Sequence, residues 1–328
     1  MCRSNISDGA RRGGHPGQRL TNNQEKGLIM ADEKDNAPRR KTLADVLEMT
    51  KQRAATGNEA AEQKAAETPR QMFLPGFDIG AFPNHLNRSS FIAPVARGRR
   101  KFHRQTEMVT RKDCVLEYTG EQLDEADGDI IMALIAFAQP FPIGTPVPLN
   151  RAELLRKLER GTGKQQYEWL HRRIKSLTEA TMFLEARKPD GSTRYSIGKT
   201  VSFRIIAGFS YDDVDEAYSY SLDPRWVQMF GNREYSLIDW DKRMQIGRGQ
   251  DMAKTLQRLL ATSADPVQRY ALDWLKDKME YTSPIRKFRE ALQAAVHELE
   301  RLEIIAKGNI EDSTKGKSQL VLRLPPSV

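Results

Sequence analysis

The residues able to carry covalent or metal chemistry are few in this 328-residue chain. Five histidines (His15, His85, His103, His171, His297) show no i,i+4 pairing and no carboxylate at a metal-type spacing, so each reads as a surface residue. Asp212, Asp213, Asp215 and Glu216 could in principle chelate magnesium, as a nuclease would need, but a solvated acidic linker is the better reading. Three stretches imitate a phosphate loop. Gly161-Thr162-Gly163-Lys164 lacks the preceding glycine. The Gly249 stretch ends Ala253-Lys254-Thr255 without the second glycine. Gly316-Lys317-Ser318 has Gly308 eight residues earlier, where about five are wanted. No Ser-His-Asp order is present to defend. These residues support neither catalysis nor a cofactor, and the expectation is a non-enzyme without metal.

The chemistry that does stand out is hydrogen-bond donation from helices. Over Lys164 to about Ala180, Tyr167, Leu170, Ile174 and Leu177 recur at helical spacing and predict a core-facing stripe. The opposite face then carries Gln165, Glu168, Trp169, Arg172, Lys175 and Ser176, with Lys164 at its start. A second helix, Ile285 to Leu302, buries Ile285, Phe288, Leu292, Leu299 and Leu302 by the same count. It projects Arg286, Glu290, Gln293, His297 and Arg301, with Lys287 nearby. Guanidinium, ammonium and amide groups on one helix face can bond base edges and phosphates in a major groove. A lone cationic face also suits plain solvation. Two in tandem, followed by basic hairpins (Arg187, Lys188, Arg194, Lys199; Lys315, Lys317), favour DNA.

The elements that must position these helices follow the same order twice. In the first, strand-like Val115–Tyr118 precedes a helix from Gln122 to Gln139 and a Pro-marked turn. Asn150 sits as an N-cap before Arg151–Arg160, Gly161–Gly163 break that helix, and the Lys164 helix follows. Met182–Ala186, the turn Lys188-Pro189-Asp190-Gly191, and a return strand from Tyr195 to Ala207 complete a wing. Tyr211–Tyr220 then reads as an acidic, aromatic linker, and Asp223-Pro224 opens a short helix to Phe230. The second unit starts with strand-like Arg233–Ile238. Helices over Gln250–Leu260, Val267–Met279 and Ile285–Leu302 follow, the last started by Ser283-Pro284. Ile304-Ile305 and Gln319–Leu324 would be its wing strands. The expected fold is α+β, mainly helical: two tandem winged-helix domains, 100–210 and 221–325, after a disordered tail over 1–70.

Residues 71–84, with Gln71, Met72, Leu74 and Phe77 among them, are an apolar and aromatic cluster bounded by polar sequence. They either dock as a short peptide in a partner's groove or cap the first domain's core. Composition agrees with a nucleic-acid partner: formal net charge +8 and pI near 9.4 favour a polyanion. Mean hydropathy is −0.63, and no apolar run approaches the ~20 residues of a bilayer span. Two cysteines, Cys2 and Cys114, make no disulfide framework, and the start lacks a secretory apolar region. A soluble protein of a reducing cytoplasm is expected.

With those residues in view, the chain resembles the TrfA-type replication initiators of broad-host-range plasmids. Three places carry the resemblance: Tyr118-Thr119-Gly120-Glu121-Gln122-Leu123 with Pro142-Ile143-Gly144-Thr145-Pro146; the Lys164–Leu177 helix with Tyr167; and Ile285-Arg286-Lys287-Phe288-Arg289-Glu290 with His297-Glu298-Leu299. It spans about Gln71 to Leu324. The resemblance implies binding to direct repeats (iterons) at a plasmid origin, opening of adjacent A·T-rich DNA whose single strands are also bound, and copy control. It further implies recruitment of the host initiator, replicative helicase and sliding clamp, and a homodimer exchanging with monomer. Internal translation starts occur in this family, which fits Met30. Its clamp-binding peptide matches Gln71-Met72-Phe73-Leu74-Pro75 followed by Phe77, although Pro75 stands where the family has an aromatic and Phe77 comes two residues late. The alternative reading is a tandem winged-helix transcription regulator that binds an operator and opens nothing.

Overall fold

A computed structural model describes residues 74, 80–95, 100–198, 202–212, 217–231, 234–314 and 316–326. All belong to one compact unit, Arg70–Val328. The expectations for the 1–70 tail and Met30, and for Gln71, Met72 and Phe77, lie outside the described residues.

The chain enters with a short strand β1 (Ala81–Pro83) and helix α1 (Asn84–Arg88). Strands β2 (Phe102–Glu107) and β3 (Cys114–Glu121) follow, then α2 (Glu125–Ala138). The helix starts three residues later than its apolar pattern suggests because Asp124 and Asp127 form a reciprocal capping box. Ile130 to Ile135 are all buried, which makes α2 the central helix of the first core. After β4 (Val147–Leu149), the Asn150 side chain accepts from the Glu153 amide at 3.0 Å and opens α3 (Arg151–Lys157), the predicted cap. Gly161 to Gly163 separate it from α4 (Lys164–Glu179). The hairpin β5 (Thr181–Arg187) and β6 (Thr193–Ile197) then joins the sheet in the order β2-β3-β5-β6.

The return strand differs from its expected course to Ala207. It stops at Ile197, because Gly198 turns at φ +88°, where an added Cβ would lie 2.4 Å from the Met182 carbonyl oxygen. Short β7 (Phe203–Arg204) pairs with β5. The expected acidic linker is instead a hairpin, β8 (Ile206–Asp212) and β9 (Ala217–Leu222), whose β9 pairs with β4. Its rings hold it there: Phe209 stacks on Tyr218 at 5.6 Å, and the Tyr220 hydroxyl donates to the Leu134 carbonyl at 2.6 Å.

Helix α5 (Trp226–Phe230) and β10 (Tyr235–Leu237) also belong to the first core, not the second. Strand β10 pairs antiparallel with β1, and Trp226, Phe230 and Ile238 bury against α2's neighbours. An unexpected helix α6 (Trp240–Gln245) follows, capped by Asp239. The second core begins at Ile246 and is built from α7 (Asp251–Leu260), β11 (Val267–Ala271), α8 (Leu272–Lys278), α9 (Ile285–Arg301), β12 (Lys307–Asp312) and β13 (Ser318–Arg323). The predicted helix over Val267–Met279 is therefore a strand followed by a helix. Gln268 and Tyr270 alternate inward and pair with Leu322 and Leu320, so period two prevails over period 3.6. With nine helices and thirteen strands among the described residues, helix and strand are roughly balanced rather than mainly helical.

The two cores are joined by charges carried on α2. Glu125 accepts from Arg258 at 2.6 and 3.0 Å and from Arg243 at 2.7 Å. Asp129 accepts from Arg243 at 2.5 Å and from Lys254 at 2.7 Å. Glu125, Arg243 and Arg258 are fully buried. No described helix is long and apolar enough to cross a membrane.

Candidate nucleic-acid interface

Helix α4 buries Leu170, Ile174 and Leu177 as the spacing predicts, and Arg173 with them. Arg173 is the departure: its guanidinium grips Asp127 at 2.6 and 2.7 Å and Glu121 at 2.5 Å. Two expected outward residues turn aside. Trp169 is half-buried under the Arg160 guanidinium, 3.6 Å from its ring centre, and Ser176 donates to Glu121 at 3.1 Å. Lys164, Gln165, Arg172 and Lys175 are exposed.

Lys164 and Arg172 line one groove of about 790 Å³ with Arg151, Tyr167, Glu168, His171 and Tyr218. Three cations face a single carboxylate there, a balance that suits a phosphodiester strand. Arg151 is held over the rings of Tyr218 and Tyr167, at 3.9 and 5.0 Å. The sequence reading missed Arg151, Tyr218 and His171, because the β8–β9 hairpin brings Tyr218 to α4 from 50 residues away. Tyr167, expected in the core, is half-buried and forms part of the wall.

Helix α9 presents Arg286, Lys287 and Gln293 to solvent, Arg286 at 89 % exposure beside Glu290 at 3.2 Å. Phe288, Leu292 and Leu299 are buried as expected, and each gains roughly 1.5–3 kcal/mol over exposure. Ile285 is not buried; it is 41 % exposed at the helix's first turn. Arg301 donates twice to Glu298 at 2.8 Å and to the Gln245 carbonyl at 3.1 Å, so it ties the end of α9 to α6. Donors from Arg301 and the Gly247 amide pull the Glu298 carboxyl down to about 2. Arg289 bonds Ser318 at the start of β13.

Among the hairpin cations, Lys188 and Lys317 are exposed, Arg187 pairs with Glu185 at 3.0 Å, and Arg194 pairs with Glu234. Lys199 and Lys315 lie outside the described residues. The strands of the second hairpin are Lys307–Asp312 and Ser318–Arg323, so Ile304 and Ile305 precede it rather than form it.

Leu74 of the candidate docking peptide is 5 % exposed and packs in the first core, as does Phe82. Two histidines expected at the surface are buried. His85 lies 4.0 Å from Asp113 and 3.5 Å from Glu234, where burial lowers its pKa, and His103 lies 3.9 Å from Glu280. Among the described residues no group of three or more His, Cys, Asp and Glu is placed to hold a metal. Asp213, Asp215 and Glu216 lie outside them.

No known family model matches this chain, and no curated protein does. Solved structures do resemble it. A structure of domains 2 and 3 of RctB is 12% identical, with a TM-score of 0.45 over 71% of this chain and 94% of that one. A second structure of the same RctB domains is 13% identical, with a TM-score of 0.46 over 73% and 96%. The Pi initiator protein, solved in complex with iteron DNA, is 13% identical, with a TM-score of 0.45 over 62% and 92%.

Proposed function

We propose that this protein is a replication initiator that grips direct repeats at a plasmid origin through two winged helices. The observation that carries DNA binding is the pairing of two outward cationic and amide faces, on α4 and α9, within one compact unit. Each helix precedes a basic β-hairpin, and each follows a helix–strand–helix segment: α2-β4-α3 before α4, and α7-β11-α8 before α9. That order is the support for two winged helices. The resemblance in the Tyr118, Lys164 and Ile285 stretches supports initiation in particular.

In this mechanism α4 and α9 enter the duplex from one side. Lys164, Arg172, Lys175, Arg286 and Lys287 contact phosphates or base edges, and Gln165 and Gln293 read bases. Lys188 and Lys317 touch the flanking backbone. Opening of neighbouring A·T-rich DNA needs no nucleotide site if several bound copies bend and strain the duplex. The protein acts as a binder, not an enzyme, and recruits host initiator, helicase and clamp. Clamp docking through Gln71 to Phe77 requires Leu74 to leave the core.

The test is a footprint on an origin carrying direct repeats, at two salt concentrations, with a probe for unpaired thymines. Protection phased with the repeats, plus thymine reactivity beside them, is expected. Protection without opening, even with host initiator added, favours the second reading, a tandem winged-helix operator-binding regulator. The burial of Leu74 is the observation on that side, because a regulator needs no clamp peptide. Absence of phased protection would sink both.

A further inference from the structure

The ionic joint on α2 lies in a continuous line between the two DNA-contacting helices. On one side, Arg173 projects from the back of α4 onto Asp127 with two parallel bonds. Two residues before and after Asp127 on the same helix, Glu125 and Asp129 take Arg243, Arg258 and Lys254 from α6 and α7. Helix α7 in turn packs through Leu256 and Leu259 into the core that holds Phe288 and Leu292 of α9. An apolar contact of this size could slide. Forked guanidinium–carboxylate pairs fix distance and orientation together, and any slip leaves buried charges unpaired.

We infer that this joint sets the separation of the two DNA-contacting faces, so that Glu125 and Asp129 are positioning residues for the spacing of the two contacted halves of a site. The inference rests on the DNA-binding reading above. Neither residue need touch DNA. A joint that holds α4 and α9 at one separation makes the protein a gauge: duplexes whose halves are rotated or moved apart cannot meet both faces. The charges α2 carries are thus tied to specificity, not only to stability.

The probe is the duplex that the full-length protein selects from a random-sequence library, with its two protected halves mapped by footprinting. Inserting five base pairs between the halves rotates them by about half a helical turn. The protein is expected to lose at least about tenfold in affinity, the scale of one good base contact. Glu125→Gln, which strips a charge from the joint, should bind the original duplex less well yet lose under about threefold on insertion. Asp129→Asn, nearly isosteric, repeats the comparison should Glu125→Gln fail to fold by circular dichroism. Unchanged discrimination in a folded variant overturns the inference. So does tolerance of the insertion by the unsubstituted protein, a result that needs no variant. Failure to select any duplex would instead sink the DNA reading and the inference with it.

Discussion

Arg173 shows how one residue on a helix with an exposed cationic face can serve the fold instead. Its fork fills the space between Asp127 and Glu121, and Asp127 is fully buried. Arg173→Met should cost about 3–5 kcal/mol, because Asp127 then keeps only Arg100 and the Asp124 amide against burial; thermal or urea unfolding checks this. The same carboxylates set the acid limit of stability. Burial alone would raise Glu125 and Asp127, but Arg258 and Arg243 for the first, and Arg173 for the second, hold both below their ordinary 4.5 and 3.8. Groups lowered on folding stabilise above their unfolded pKa, so this contribution is present above about pH 4.5 and lost as pH falls. Asp124 has the opposite sign. Burial and the Asp127 charge push it up to about 7, so its contribution is full below 3.8 and lost as pH rises through about 7. Melting curves from pH 3 to 8 should therefore lose their alkaline fall in Asp124→Asn while keeping their acid fall.

At the scale of the element, α4 and α9 make different demands on their cations. Arg172 and Lys164 face a groove with two aromatic walls, so replacing either with Ala should weaken binding to any duplex. Each loss should also flatten the slope of log K against log salt by about 0.9. Arg286→Ala or Gln293→Ala should cost about 1–3 kcal/mol on the selected sequence and relax discrimination at one position. Competition titrations at three salt concentrations separate the two patterns. Arg301→Ala is the control on the same helix. Its donors are engaged by Glu298 and Gln245, so it should lower thermal stability and leave the salt slope alone.

For the whole molecule, the chief consequence of the fold is that its N-terminal approach is part of the core. Leu74, Phe82 and Leu86 pack with Trp226 and Phe230 from residues far along the chain. Leu74→Ala should therefore destabilise by about 2–5 kcal/mol if the segment acts as core. A peptide that spends its time on a partner would instead show little loss of stability and a loss of clamp binding in a pull-down. The two outcomes divide the two roles of residues 71–84 on one protein sample.

Local chemistry was enough for several elements. Asn150 capped α3, Leu170, Ile174 and Leu177 set the inner face of α4, and Pro189-Asp190-Gly191 turned the hairpin; α3 itself ended at Lys157, before the glycines expected to break it. Each depends on neighbours within about four residues, which is why it can be read from the chain. The outward face of α9 followed from the same periodicity, as did that of α4 apart from Trp169 and Ser176. What only the tertiary structure decided depends on partners far apart. Val267–Ala271 became a strand because β13, some fifty residues on, offers its edge. The stretch expected as a linker gave the paired strands β8 and β9 because β4 and the Arg151 guanidinium accept β9. Glu125, Arg173, Arg243 and Arg258 look like surface charges in any window of the sequence. Only the approach of an opposite charge, in a place without water, makes their burial tolerable, and that approach is a property of the folded chain.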